Sequence, residues 1–297
     1  MLNEPEIQIR KLEQTSRAVR VDCEFGQLEF RCFEGPVGAE TLLLVHGGSG
    51  SWLHWVRNID FLRQYFKVWT VDLPGLGASD ALDEGYTAEA AITAFVEGCK
   101  NLGELSKFHM IAFSWGCAVS AQAALVLSES VQSVTLIGPA SIGDVSRAGG
   151  MKPLLRRRPN MSPEETRHFH LTNLAHLMIS DPARIDALAL HVQVINTAQA
   201  RFKSPQFAKN TMVLDAVAQL SMPVQVIYGD LDGPALPDVA GKRDLFLAAN
   251  PEVVFELVQG AGHWLAFERP ELFHSLVLNW MQRFVEARPR LEPQDAL

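Results

Sequence analysis

The sequence predicts an α/β protein in which a mostly parallel central sheet is flanked by helices and interrupted once by an inserted helical cap. Three observations carry that expectation. Short apolar runs alternate with helical patterns along most of the chain. The runs are continuously hydrophobic, as strands covered by helices on both faces are. The rhythm lapses between about Pro139 and Leu214, where segments bearing Pro153, Pro159, Pro163, Pro182 and Pro205 replace the strands. With 297 residues, 47% of them hydrophobic and 20% charged, the chain can bury a sizeable core. That excludes a disordered protein and a small disulfide-stapled scaffold.

Taken in order, the opening MLNEPEIQIRKLEQ is charged throughout and lacks the apolar stretch of a signal peptide, so a cytoplasmic protein is expected. A hairpin follows, Val19 to Phe25 and Leu28 to Phe33 around Gly26. Strands are expected at Thr41 to Val45, Val68 to Asp72, Phe108 to Phe113, Val131 to Gly138, Val224 to Tyr228 and Val253 to Val258. Helices are expected at Leu53 to Tyr65, Thr87 to Leu102, Trp115 to Leu127 and Asp238 to Ala249. A terminal helix has Leu272, Leu276, Trp280 and Phe284 on its stripe, flanked by Phe273, Val277, Met281 and Val285. Phe108 to Ser128 carries no charged residue, yet Ser114, Gly116, Ser120 and Gln122 divide it into strand, turn and small-residue helix rather than a membrane span. Residues 1–139 and 213–297 are thus the predicted core and 140–212 the predicted cap.

The formal net charge of −8 argues against a general nucleic-acid or anionic-membrane binder, whose affinity comes from clustered Lys and Arg. Between Asp144 and Lys209, ten Lys or Arg stand against five Asp or Glu, a balance of +5 that leaves −13 for the remainder. That basic insert attracts an anionic substrate, or its Arg156, Arg157 and Arg158 are simply solvated; the second reading is the plainer one. Cys23, Cys32, Cys99 and Cys117 show no CxxC spacing and read as small buried hydrophobes in a reducing compartment.

Chemistry concentrates in four places. In IAFSWGCAVSAQAAL, residues 111–125, a serine lies between strand and helix with small residues two before and two after it. Such a turn can be sharp and strained enough to expose the hydroxyl of Ser114, although Ala112 stands where the GxSxG pattern has glycine. A serine needs a base and an acid to orient it. YGDLDGPALP, residues 228–237, supplies carboxylates just past a strand, and GAGHWLAFERP, residues 260–270, supplies His263 past the next. Asp232 is preferred to Asp230 because it lies further along the loop that would reach beneath an imidazole, while Asp230 is expected to bond backbone amides. HGGSG, residues 46–50, ends another strand and offers amides for an oxyanion hole. Gly48 and Trp115, the residue after the serine, are the expected donors, with Gly47 and Ser49 as alternatives to Gly48. The GxxxxGK[ST] and GxGxxG patterns are absent, so a nucleotide site is disfavoured.

HGGSG, DLPGLGASD at residues 72–80, AFSWG, and YGDLD with GHW occur in an order that resembles the α/β-hydrolases over nearly the whole chain. Within that superfamily, GHWLAFERPELF and the pair Arg57 and Asn58 are similar to the meta-cleavage product hydrolases. The resemblance implies a cofactor-free hydrolase, without metal, that cleaves a carbon to carbon bond in vinylogous 1,5-diketones from aromatic ring degradation. It implies Ser114, Asp232 and His263 as the triad and Trp264 as a pocket residue. The chain departs from the family in a shorter glycine loop, in His54 where a pocket asparagine is common, and in lacking a cap arginine around His191 to Gln193. Ester or lactone hydrolysis needs only the triad and the oxyanion hole.

Other residues are weighed against structural roles. Trp52, His54 and Trp264 are expected to line a substrate pocket, although core packing competes for the tryptophans. His168, His170, His176 and His191 lack metal-ligand spacing. His46 is expected to support the glycine loop, and Cys117 to pack on the sheet rather than attack. The expected partner is a small-molecule substrate, not nucleic acid or membrane, and a homodimer is left open. The rival class is a receptor that keeps this fold without turnover. Haloperoxidase or perhydrolase activity would use the same residues, whereas an aspartate nucleophile is disfavoured because position 114 is serine.

Overall fold

In the computed structural model, residues 3–82, 87–143 and 150–286 are described. Positions 144–149 of the insert, and the side chain of Val285, lie outside that description. Helix α1, Glu4–Gln14, opens the chain. Asn3 caps it, Glu6 returns the bond to the Asn3 amide, and Pro5 occupies the first turn where no donor is needed. The hairpin β1, Arg17–Cys23, and β2, Gly26–Phe33, leads to β3, Thr41–Val45. Next come a 3-10 turn at Trp52–Trp55, the single-turn α2, Ile59–Leu62, and β4, Lys67–Val71. The expected helix over Leu53 to Tyr65 is therefore two short turns. Trp52, Leu53, His54 and Trp55 are all buried, so no polar face exists for a longer surface helix.

The chain continues through α3, Ala88–Asn101, β5, Phe108–Phe113, α4, Trp115–Val126, and β6, Val131–Ile137. An insert follows whose described residues form helices and irregular chain but no strand, with α5, Pro163–Asn173, and α6, Ala187–Gln199; α7, Met212–Val217, leads out of it. Its prolines begin elements rather than break them, as at Pro163, Pro182 and Pro205. Then come β7, Val224–Gly229, α8, Lys242–Ala249, β8, Val254–Val258, α9, Leu265–Glu268, and α10, Pro270–Glu286.

The eight strands form one sheet in the order β1-β2-β4-β3-β5-β6-β7-β8. Pairing is antiparallel from β1 through β2 to β4 and parallel from β4 to β8. Successive residues of β3 serve opposite cores. Leu43 and Val45 join Phe95, Ala118 and Phe246 under α3, α4 and α8; Leu42 and Leu44 join Leu12, Ile59, Phe273 and Trp280 under α1, α2 and α10. On α10 the buried face is rotated from the expected stripe. Phe273, Val277, Trp280 and Met281 are buried while Leu272 is 48% exposed, because the spacing of three and four follows the 3.6-residue turn and a strict four drifts off it. All parallel strands end at one edge, and open α/β sheets hold their ligands there.

Candidate active site

Ser114 is the hinge between β5 and α4. Its backbone sits at φ 53° and ψ −117°, a strained conformation for a residue with a side chain. The surroundings enforce it: the Ser114 amide donates to the Ile137 carbonyl at 2.9 Å. A Cβ on Gly116 would run into the His46 carbonyl oxygen, so α4 approaches the glycine loop only because position 116 lacks a side chain. Ala112, fully buried in β5, is small enough for the turn without the first glycine.

The imidazole of His263 faces that hydroxyl, with Nε2 3.0 Å from Ser114 Oγ. On its other side His263 Nδ1–H donates to Asp232 Oδ2 at 2.8 Å. His263 is 5% and Asp232 1% exposed, so solvent competes little for either bond. The second Asp232 oxygen accepts the Ala235 amide at 3.2 Å. Asp230 turns away and accepts the Gly260 amide at 2.7 Å, clamping the loop that leads to the histidine. Gly138, at the end of β6, was not singled out in the sequence. A Cβ there would lie 2.8 Å from Asp232 Oδ2 and 2.9 Å from His263 Nδ1, so its missing side chain makes room for the pair.

The glycine loop lies beside the hinge. A Cβ on Gly47 would fall 3.1 Å from the Ser114 Cβ, and one on Gly48 would fall 3.7 Å from the Trp115 Cβ and run into Ser204 Oγ. Trp115 is the first residue of α4, where amides have no partner within the helix. The indole of Trp115 stacks between Phe202 and Phe207 of the insert, with centroids 5.4 and 5.2 Å away. His46 supports the loop as expected: its Nε2 accepts the Leu73 amide at 2.9 Å and its Nδ1–H donates to the Gly47 carbonyl at 2.7 Å. Burial pushes its pKa down to about 4. Burial lowers the pKa of His54 well below the usual value too, aided by repulsion from His46 and His263.

Two residues of this rim carried no assigned role in the sequence. Asp72, just past β4, accepts the Trp52 amide at 2.7 Å and the Ala78 amide at 2.9 Å, joining the glycine loop to the DLPGLGASD turn. Burial pushes its carboxyl up to about 6 against the pull of those two amides. Asn196 of α6 reaches across the fold to accept the Ser51 hydroxyl at 2.7 Å. The signal for Asp72 was its place at a strand end in a glycine-rich run; Asn196, 145 positions from its partner, gave none.

A cavity of about 30 Å³ touches Ser114 and is walled by Gly138, Ser141, Tyr228, Lys242 and His263. A larger one, about 220 Å³, borders His263 through Leu177, Met178, Ile179, Leu231 and Leu236. Trp52, His54 and Trp264 line neither. Trp264 is 1% exposed, donates its indole N–H to the His54 carbonyl at 2.9 Å and stacks on Phe267 at 4.1 Å. The His54 ring packs between Phe113 and Trp264. Trp52 lies against Phe33 and beneath the Arg31 guanidinium. These three side chains, expected in the pocket wall, are packed into the core under the site. Cys117 is fully buried, its Sγ 3.3 Å from the Ala112 carbonyl, and burial pushes its thiol well above the usual range, so it is no nucleophile. Among the described residues all four cysteines are free, no cluster of His, Cys, Asp and Glu could hold a metal ion, and no helix is long and apolar enough to cross a membrane.

Comparison with known proteins adds three findings. The sequence pattern of the alpha/beta hydrolase family matches residues 42–276. A 2-hydroxy-6-oxononadienedioate/2-hydroxy-6-oxononatrienedioate hydrolase of Cupriavidus pinatubonensis is 24% identical over 287 residues, covering 90% of this chain and 95% of that protein. Among solved structures, an esterase from Rhodococcus superposes with a TM-score of 0.73 at 20% identity, covering 90% of this chain and 98% of its own. The naproxen esterase of Bacillus subtilis does so with a TM-score of 0.68 at 18% identity, covering 95% and 99%.

Proposed function

The chain belongs to the alpha/beta hydrolase family, and from that premise we propose that it is a serine hydrolase of small carbonyl substrates with an apolar or aromatic part. The observation that carries the reading is the unbroken relay from Asp232 through His263 to Ser114, with contacts of 2.8 and 3.0 Å. His263 Nε2 takes the Ser114 proton as Oγ attacks the carbonyl carbon. The carbonyl oxygen becomes an oxyanion, held by the amides of Gly48 and Trp115, which are fixed before the reaction begins. Asp232 holds the imidazole in the tautomer that accepts on Nε2 and stabilises the imidazolium. The imidazolium returns its proton to the leaving group as the bond to the acyl carbon breaks. Water, deprotonated by the same nitrogen, then releases the acid and restores the serine.

The insert, as a cap over residues 140–212, selects the substrate. Leu177, Met178 and Ile179 supply apolar wall to the cavity that borders His263. Ester hydrolysis is the reaction this chain favours. His191, near the expected place of a cap arginine, borders an outer groove with Asn3, Pro5 and Arg167 instead of the cavity at Ser114. Carbon to carbon cleavage is the second reading, favoured by the name of the Cupriavidus relative. A turnover panel decides: short aryl esters should be cleaved at least tenfold faster, by kcat/KM, than 2-hydroxy-6-oxo-dienoates, about 1.4 kcal/mol in transition-state stabilisation. The opposite ranking overturns the ester reading, and turnover of neither class favours a receptor.

A further inference from the structure

We propose that Glu268 is a positioning residue that ties the His263 loop to the insert, so that docking of the insert sets the imidazole against Ser114. The proposal rests on the reading of Ser114 and His263 as nucleophile and base. Glu268 ends α9 five residues beyond the histidine and is fully buried. A carboxylate in that position must be saturated with donors to be tolerated. Its Oε2 accepts the Gly262 amide at 2.7 Å and the Ser180 amide at 3.2 Å. Its Oε1 accepts the Ser180 hydroxyl at 2.7 Å and the Asp181 amide at 2.9 Å. Three of the four donors therefore belong to the insert, and the fourth belongs to the residue immediately before His263.

The residue after the histidine is held from the same side. The Trp264 amide donates to the Met178 carbonyl at 2.6 Å. A Cβ on Gly262 would lie 2.7 Å from the Ser180 amide nitrogen and 2.8 Å from Glu268 Oε2, so glycine is what lets the three segments meet. Arg184, also of the insert, donates to the Glu268 carbonyl at 3.0 Å. Both amides flanking the imidazole thus bond to this junction and neither to the sheet. If residues 178–181 moved away, the carboxylate would keep one donor of four. A buried anion so deprived moves or draws its remaining partner with it, and that partner is the His263 loop.

Glu268→Gln keeps the volume but turns an acceptor into a donor facing amide donors. Ser180→Ala removes one hydroxyl bond on the insert side without touching the loop. On a short aryl ester, kcat of Glu268→Gln should fall roughly 10- to 100-fold with KM within about twofold, as misplacement of the base requires. Ser180→Ala should lose less, and the double variant should lose no more than Glu268→Gln alone, because both act on one junction. The imidazole NMR resonances of His263, read without substrate, should shift in both single variants. Wild-type kcat and unshifted resonances in the two variants, with only a lower Tm, would reduce Glu268 to packing and overturn the proposal, as would multiplicative losses in the double variant. Should Glu268→Gln fail to fold, Ser180→Ala decides by the same two readouts. A wild-type protein that turns over no ester defeats the hydrolase reading instead, while the NMR comparison still tests the tie.

Discussion

The rim that carries Ser114, Asp232 and His263 and the helical insert facing it are held in place by different means. Ser114 and Gly138 leave strands bonded on both sides, since β5 and β6 lie inside the sheet and β7, which leads to Asp232, pairs with β6 and β8. Among its described residues the insert joins no ladder. It is fastened by separate bridges: side-chain bonds join Asn196 to Ser51, Asp186 to Arg57, Arg201 to the Ser79 carbonyl and Ser180 to Glu268, and single backbone bonds join the Arg201 amide to the Gly75 carbonyl and the Trp264 amide to the Met178 carbonyl. A backbone ladder fixes geometry cooperatively, whereas each bridge contributes about 1–3 kcal/mol and can be changed singly. Ser114 and Asp232 are therefore set by the sheet edge, whereas the His263 loop also leans on the insert through Glu268 and Met178.

Replacing residues on the two sides should separate these roles. The largest effect is expected from Ser114→Ala, which removes the attacking atom and should lower kcat on aryl esters by roughly 10⁴-fold or more with the fold intact. Asp232→Asn should lose roughly 10³- to 10⁴-fold by turning the imidazole to the wrong tautomer. Asp230→Asn should stay within about tenfold of wild type and show its loss in the urea midpoint, because its oxygen bonds the Gly260 amide and no reacting group. Equal kinetic losses at 230 and 232 would break the distinction between relay and clamp.

A pH series sharpens it further. Burial holds His46 neutral with a pKa of about 4, against 6.5 as the usual value. As pH falls the unfolded chain binds that proton first, so the stabilisation is present above about 6.5 and is lost toward pH 4. The loss is on the order of 3 kcal/mol. Subtracting the urea midpoints of His46→Gln from wild type at pH 7 and 4.5 isolates it. Asp72, pushed up to about 6, runs the opposite way, losing stabilisation as pH rises, and is common to both proteins. On the insert, Arg158→Ala breaks an ion pair with Glu165 at 3.0 Å between side chains 69% and 49% exposed. It should leave the thermal unfolding midpoint close to that of wild type and kcat unchanged.

What could be read from the sequence follows the same division. The strands β3 and β5 are uninterrupted apolar runs whose ends coincide with loss of hydrophobicity, and Asp232 and His263 announce themselves as polar residues just past such runs. α1 is not legible in the sequence although Asn3, Pro5 and Glu6 form a capping signature, because its charged surface hides the few buried positions, among them Ile9 and Leu12. Trp52 and Trp264 read as pocket residues in the sequence because an indole suits a pocket and a core equally; only the packing around it distinguishes them. Glu268 and Asn196 depend on partners 88 and 145 positions away, and no local pattern encodes such pairings.

The most direct measurement is covalent labelling of the folded protein with a serine-directed fluorophosphonate, read by intact mass and by the peptide modified. One adduct per chain on Ser114, formed far more slowly in His263→Ala, is the expected result. An unlabelled wild-type protein, an adduct on another serine, or an unchanged rate in His263→Ala would contradict the account.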